Sequence, residues 1–142
     1  MIHLLCPNCR LVNRTDQGRL ATAVCGKCKT PLAAAGVLHL DAALLDSLLA
    51  KDQLPLLVDF WAPWCGPCRS MAPAFEEAAG LLAPGVRLGK VDTEANQALG
   101  ARFGIQSIPT MAFFAGGREI DRVSGAMPAR DIVAWVQSRL RG

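Results

Sequence analysis

Leu54-Pro55-Leu56-Leu57-Val58-Asp59-Phe60-Trp61-Ala62-Pro63-Trp64-Cys65-Gly66-Pro67-Cys68 runs from an almost unbroken apolar stretch into a turn that carries two cysteines. Apolar residues that follow one another, rather than alternate with polar ones, mark a strand covered on both faces. Beyond the turn, Met71, Phe75, Ala78, Ala79 and Leu82 recur at helical spacing. A helix is therefore expected to start near Cys65 and to kink at Pro73. A buried strand feeding directly into a helix belongs to the α/β class.

The same alternation extends in both directions. Upstream, Val37 to Leu40 reads as a short strand, and Asp41 can cap a helix carrying Leu44, Leu45, Leu48 and Leu49. Downstream come a strand at Val86 to Val91 and a short helix around Glu94 to Arg102. Thr110 to Ala115 and Glu119 to Ser124 flank Gly116-Gly117-Arg118, a spacing that predicts an antiparallel hairpin. A last helix begins near Pro128 and aligns Ile132, Val133, Val136 and Leu140 on one face. The order β-α-β-α-β-α-β-β-α implies a parallel core sheet extended by antiparallel strands.

At the junction, Cys65 and Cys68 have the spacing of a dithiol. Unpaired N–H groups at a helix start stabilise a thiolate, and the thiolate is the nucleophile. Cys65 is expected to be the exposed attacking thiol at the turn. Cys68 lies one turn on, placed to resolve a mixed disulfide, while Gly66 and Pro67 keep the turn tight. The competing reading, half of a zinc site, lacks a second cysteine pair in this part of the chain. Asp59 stands alone in its apolar strand; burial would raise its pKa and suit it to exchange a proton with Cys68, against the alternative of a purely structural carboxylate. Lys90 could tune Asp59 or could be an exposed strand-end charge. Ile108-Pro109-Thr110 opens a strand, where proline is ordinary.

The six cysteines fall in three Cys-x-x-Cys pairs, and the first two differ in setting from the third. Cys6-Pro7-Asn8-Cys9 and Cys25-Gly26-Lys27-Cys28 are separated by fifteen residues, which is zinc-ribbon spacing. Two such turns supply a closed tetrahedron of sulfurs around a structural Zn²⁺. Residues 1–32, too short for a core of their own, would need that staple. They also hold five basic residues and one acidic residue, whereas the rest of the chain has ten and eleven. The formal charge of +3 therefore sits on the first segment, and a general nucleic-acid-binding role is not expected. The longest apolar run, Met111 to Ala115, is far below the ~20 residues of a membrane span. The first residues carry neither a basic n-region nor a long apolar stretch, so an intracellular, cytoplasmic protein is expected. The segmentation expected is 1–32, a linker at 33–36, and a main domain over 37–142.

Phe60 to Cys68 resembles the active site of the thioredoxin family, and Ile108-Pro109-Thr110 resembles its cis-proline loop. The likeness spans about residues 37–142 and takes in Asp59, Lys90 and Gly125. It implies a thioredoxin fold, a central mixed sheet flanked by helices, here preceded by a small zinc ribbon. It implies a disulfide reductase in which Cys65 attacks, Cys68 releases the product, and a redox-active disulfide Cys65–Cys68 results. Asp59 would match the family's buried proton-transfer aspartate and Pro109 its cis-proline. Trp64, Ile108 and Gly125, beside Gly66 and Pro67, would form the surface that meets substrate. Disulfide-containing proteins and an NADPH-dependent, flavin-containing thioredoxin reductase are the implied partners. With the Cys6, Cys9, Cys25 and Cys28 set, the whole chain resembles the zinc-containing bacterial thioredoxin 2 subfamily. Two other roles compete for the first segment: a docking module, or a zinc-thiolate redox switch that regulates the main domain.

Overall fold

The structure, a computed structural model, describes residues 1–141. Its centre is a five-stranded sheet in the order β3-β5-β4-β6-β7, formed by β3 (Val37–His39), β5 (Arg87–Asp92), β4 (Leu56–Trp61), β6 (Thr110–Ala115) and β7 (Arg118–Ser124). β3 and β4 both run parallel to β5, while β6 is antiparallel to β4 and to β7. The mixed sheet expected from the element order is the one observed.

Helices cover both faces because the central strands are apolar on both. Leu56, Val58 and Phe60 of β4, with Ala112 and Phe114 of β6, pack toward Leu44, Leu45 and Leu48 of α1 (Ala42–Lys51) and Leu99 of α3 (Gln97–Arg102). Leu57, Met111 and Phe113 point the other way. They pack against Met71, Phe75 and Ala78 of α2 (Gly66–Leu82) and Ile132 and Val136 of α4 (Ala129–Arg141). Alternate residues of one strand thus feed two separate cores, as the two-residue period of a pleated strand requires. Asp41 caps α1, accepting a hydrogen bond from Leu44 N at 2.8 Å, and α2 continues through Pro73.

Several boundaries differ from the sequence expectation. β4 begins at Leu56 rather than Leu54, and Leu54 instead joins the small core of the first segment. α3 begins at Gln97, because Asp92 Oδ1 accepts from the amides of Glu94 and Ala95 at 2.9 and 3.2 Å and holds that stretch in a turn. The β6–β7 connection is only Gly116-Gly117, both with positive φ, which suits a two-residue hairpin.

The first segment forms a two-stranded antiparallel sheet, β1 (Ile2–Leu5) and β2 (Val12–Thr15), joined through the turn containing Cys6 and Cys9. Leu4, Leu20, Leu32 and Ala33 pack with Cys6, Cys25 and Leu54 in a small cluster. The segment is seated on the start of β5 and the end of α1, where Arg87 and Asp52 form a buried ion pair at 3.0 Å.

Candidate active site and metal centre

Cys65 is the N-cap of α2, and its Sγ accepts from the backbone amide of Cys68 at 3.2 Å. Pro67 occupies the first turn, where a missing N–H costs nothing. Cys65 and Cys68 are joined as a disulfide, with Cα atoms 5.3 Å apart. The expectation of an exposed Cys65 needs correction, since it is 5% exposed and Cys68 is 1% exposed. Ala62, Trp61 and Ile108 pack around the pair, and Ile108 O lies 3.8 Å from Cys65 Sγ. Cys65 remains the outer of the two sulfurs.

The loop that covers it is tied down in several places. The Ile108–Pro109 bond is cis, and Pro109 O accepts from Gly125 N at 2.9 Å. Gly125 has φ near +101°, a backbone state open mainly to glycine. Thr110 Oγ1 sits 2.6 Å from Ser107 O and 2.8 Å from Ser124 Oγ, closing the loop against β7. Trp64 projects from the other side of Cys65 at 69% exposure, with its indole N–H donating to Glu94 Oε2 at 2.9 Å. Trp64, Ile108 and Gln97 line a groove beside the disulfide. Gly66 and Pro67 are exposed at the helix start.

Asp59 is fully buried, and neither carboxylate oxygen has a hydrogen-bond partner among the described residues. Burial pushes its pKa up to about 7, against a smaller downward pull from the Lys90 charge. Asp59 and Lys90 are register partners across β4 and β5. Lys90 is buried rather than an exposed strand end, and its Nζ lies 4.4 Å from the centre of the Trp61 ring. Sequence reasoning missed Glu94 as the partner of Trp64. An exposed carboxylate thirty residues away leaves no local signal of that contact.

Residues 36–138 match the sequence family described as Thioredoxin. The chain belongs to the thioredoxin family. It is 35% identical over 139 residues to Thioredoxin C-3 of Corynebacterium nephridii, a match covering 97% of this chain and 95% of that one. It is 36% identical over 104 residues to a thioredoxin of Haemophilus influenzae, covering 73% and 97%. Among solved structures it resembles chloroplastic thioredoxin z, with 31% identity and a TM-score of 0.68 over 75% of this chain and 96% of that one. The chain is thus a protein-disulfide oxidoreductase, and the Cys65–Cys68 disulfide fits the Cys-x-x-Cys motif. Among the described residues no helix is long and apolar enough to cross a membrane.

Ahead of the thioredoxin-family region, the sulfurs of Cys6, Cys9, Cys25 and Cys28 all lie within 4.8 Å of one another. Cys6 and Cys28 are 3.5 Å apart and Cys9 and Cys25 are 3.6 Å apart. A tetrahedron with zinc–sulfur bonds of ~2.3 Å has sulfurs ~3.8 Å apart, so the cluster has the right size for one ion. N–H donors surround it: Cys9 N on Cys6, Lys27 N on Cys25, Asn8 Nδ2 on Cys28 and Asn13 Nδ2 on Cys25. Thr30 and then Asn8 pull the Cys28 thiol down to about 5, and the Cys28 amide leads in pulling Cys25 down to about 7. At Cys9 the Leu11 amide pulls downward, but burial and the neighbouring sulfurs outweigh it and push the thiol up to about 11. Four soft donors, two of them already biased to thiolate, fit a soft divalent metal.

Proposed function

We propose that this protein reduces disulfides in other proteins. The observation that carries the proposal is the Cys65–Cys68 disulfide at the N-terminus of α2, with the Cys68 amide on Cys65 Sγ. In the reduced enzyme, the Cys65 thiolate attacks one sulfur of a substrate disulfide. A Cys65–substrate bond forms, and the other substrate sulfur leaves as a thiolate. Cys68 then gives up its proton toward Asp59 and attacks Cys65. The mixed disulfide breaks, Cys65–Cys68 closes, and the second substrate thiol departs. Two electrons have passed to the substrate, and an NADPH-dependent thioredoxin reductase returns them.

Asp59 suits the proton step because its pKa of about 7 lets it accept and release a proton near neutrality. Lys90 opposes the shift and keeps that value from rising further. Trp64, Gly66, Pro67, Ile108, Pro109 and Gly125 form the contact surface for the substrate chain around Cys65. Cys6, Cys9, Cys25 and Cys28 hold a structural Zn²⁺, which would supply the cross-link that a 32-residue ribbon needs before a linker at 33–36 and a catalytic domain at 37–142. Similarity to Thioredoxin C-3 over nearly the whole chain supports this two-part reading, in line with a zinc-containing thioredoxin 2 type acting in the cytoplasm.

The test is turnover of insulin disulfides. Cys65→Ser is expected to abolish it, and Cys68→Ser is expected to accumulate mixed disulfides between Cys65 and substrate. Full turnover by Cys65→Ser would refute the reading.

A further inference from the structure

Arg87 opens β5 and Asp52 follows α1, and their side chains meet in the seam under the first segment. Arg87 Nε and Nη2 donate to Asp52 Oδ2 and Oδ1 at 3.0 and 3.1 Å, a two-pronged contact. The guanidinium also reaches into the ribbon, where Nη1 donates to Leu32 O at 2.6 Å and Nη2 to Leu5 O at 3.2 Å. Asp52 works from the other side, since its Oδ1 accepts from Leu5 N at 2.8 Å. Both backbone groups of Leu5 are therefore held by this pair. The two side chains are 5% and 2% exposed.

The positions gripped are the two points where the cysteine-bearing segment enters and leaves its cluster. Leu5 immediately precedes Cys6. Leu32 follows Thr30, whose Oγ1 lies 3.2 Å from Cys28 Sγ. The turn holding Cys6 and Cys9 and the turn holding Cys25 and Cys28 are thus indexed to a single guanidinium–carboxylate pair. A buried ion pair adds little stability compared with apolar residues of the same volume. Its geometry, by contrast, fixes position, because the planar fork can satisfy a carboxylate and two carbonyls only in one arrangement.

We infer that Arg87 and Asp52 are positioning residues for the metal centre, holding Leu5 and Leu32 so that the four sulfurs converge. The inference rests on the reading of the four cysteines as that centre. Binding linkage makes the effect reciprocal: metal on the ribbon tightens its seat on the catalytic domain through the same pair.

The experiment uses the reduced, full-length chain loaded with Zn²⁺ and challenged with a chromophoric chelator. It is run at a temperature where circular dichroism shows every variant folded. Wild type is expected to retain one zinc. Arg87→Met and Asp52→Leu are each expected to lose it roughly 10- to 100-fold more readily, the scale on which groups supporting metal ligands act. The double variant Arg87→Met/Asp52→Leu removes both buried charges, so it avoids the unpaired charge that each single variant leaves and should unfold at a higher temperature than either. Its zinc retention should stay weak, because Leu5 and Leu32 still lack their partners. This double variant decides the matter if the single ones fail to fold. Wild-type retention in the folded double variant overturns the inference and leaves the metal centre standing. A wild-type protein that takes up no zinc overturns the metal reading and this inference with it.

Discussion

An acid enclosed in a strand with no hydrogen-bond partner reports on pH before it reports on catalysis. Asp59 has a pKa of about 7 in the fold, raised from 3.8, so between those values the folded state holds a proton that the unfolded chain has released. Stability therefore falls as pH rises from about 4 to about 7 and is level above that. Three pKa units correspond to about 4 kcal/mol. Asp59→Asn is expected to remove this slope, gaining several kcal/mol at pH 8 and little at pH 4, as read by urea unfolding at the two values. The same variant should slow release of the mixed disulfide at Cys65 if Cys68 passes its proton to Asp59 as proposed. Asp59 was legible in the sequence because a charge inside Leu-Leu-Val-Asp-Phe-Trp has no solvent-facing explanation. The burial of Lys90 was not, because it depends on β4 and Trp61 beside it rather than on its own strand. The cover over Cys65 was hidden for a similar reason, since Ile108 comes from forty-three residues further along the chain.

At the scale of elements, the turns decide more than the strands they join. Gly116 and Gly117 both have positive φ, but only Gly117 is also crowded, since a Cβ there would lie 2.6 Å from the backbone oxygen of Leu49. Gly116→Ala should cost about 1–2 kcal/mol from the left-handed conformation alone. Gly117→Ala should cost clearly more and lower the melting temperature further, because α1 must shift as well. Equal shifts for the two variants in thermal unfolding would contradict the close approach. The strands and helices from Val37 onward were readable from apolar spacing, because their cores are built from runs of Leu, Val, Phe and Ile. The start of α3 was set three residues too early, where the Asp92 side chain captures amides that a helix would otherwise use. β1 and β2 left little trace, for they are four residues each and owe their pairing to the cysteine turn between them.

Across the whole molecule, two unlike strategies share one chain. The catalytic region is held by two apolar cores on either side of a sheet, whereas the first segment has a small cluster completed by Leu54 from outside it. Metal removal under reducing conditions is accordingly expected to expose residues 1–32 to fast hydrogen exchange while β4, β5 and β6 stay protected. Exchange measured by mass spectrometry checks this, and equal loss of protection in both regions would contradict a separate metal-dependent unit. Two unlike cysteine settings were legible from spacing and charge, and the strands of the first lie in a two-stranded sheet separate from the five-stranded one. Their attachment was not, because Asp52 and Arg87 are ordinary surface residue types whose burial follows only from the segment folding over them.

The four-cysteine cluster also ties metal uptake to the exchange of protons. The formal charge of +3 counts every thiol as neutral, which Cys28 and Cys25 are not. Near neutral pH Cys28 is already a thiolate and Cys25 is about half ionised, so a divalent ion displaces only the remaining about two to three thiol protons, roughly what its own two charges offset. Each uptake event should therefore acidify an unbuffered solution by about two to three protons, which titration at constant pH reads. Metal uptake would in this way be read as released acid rather than as a change of net charge.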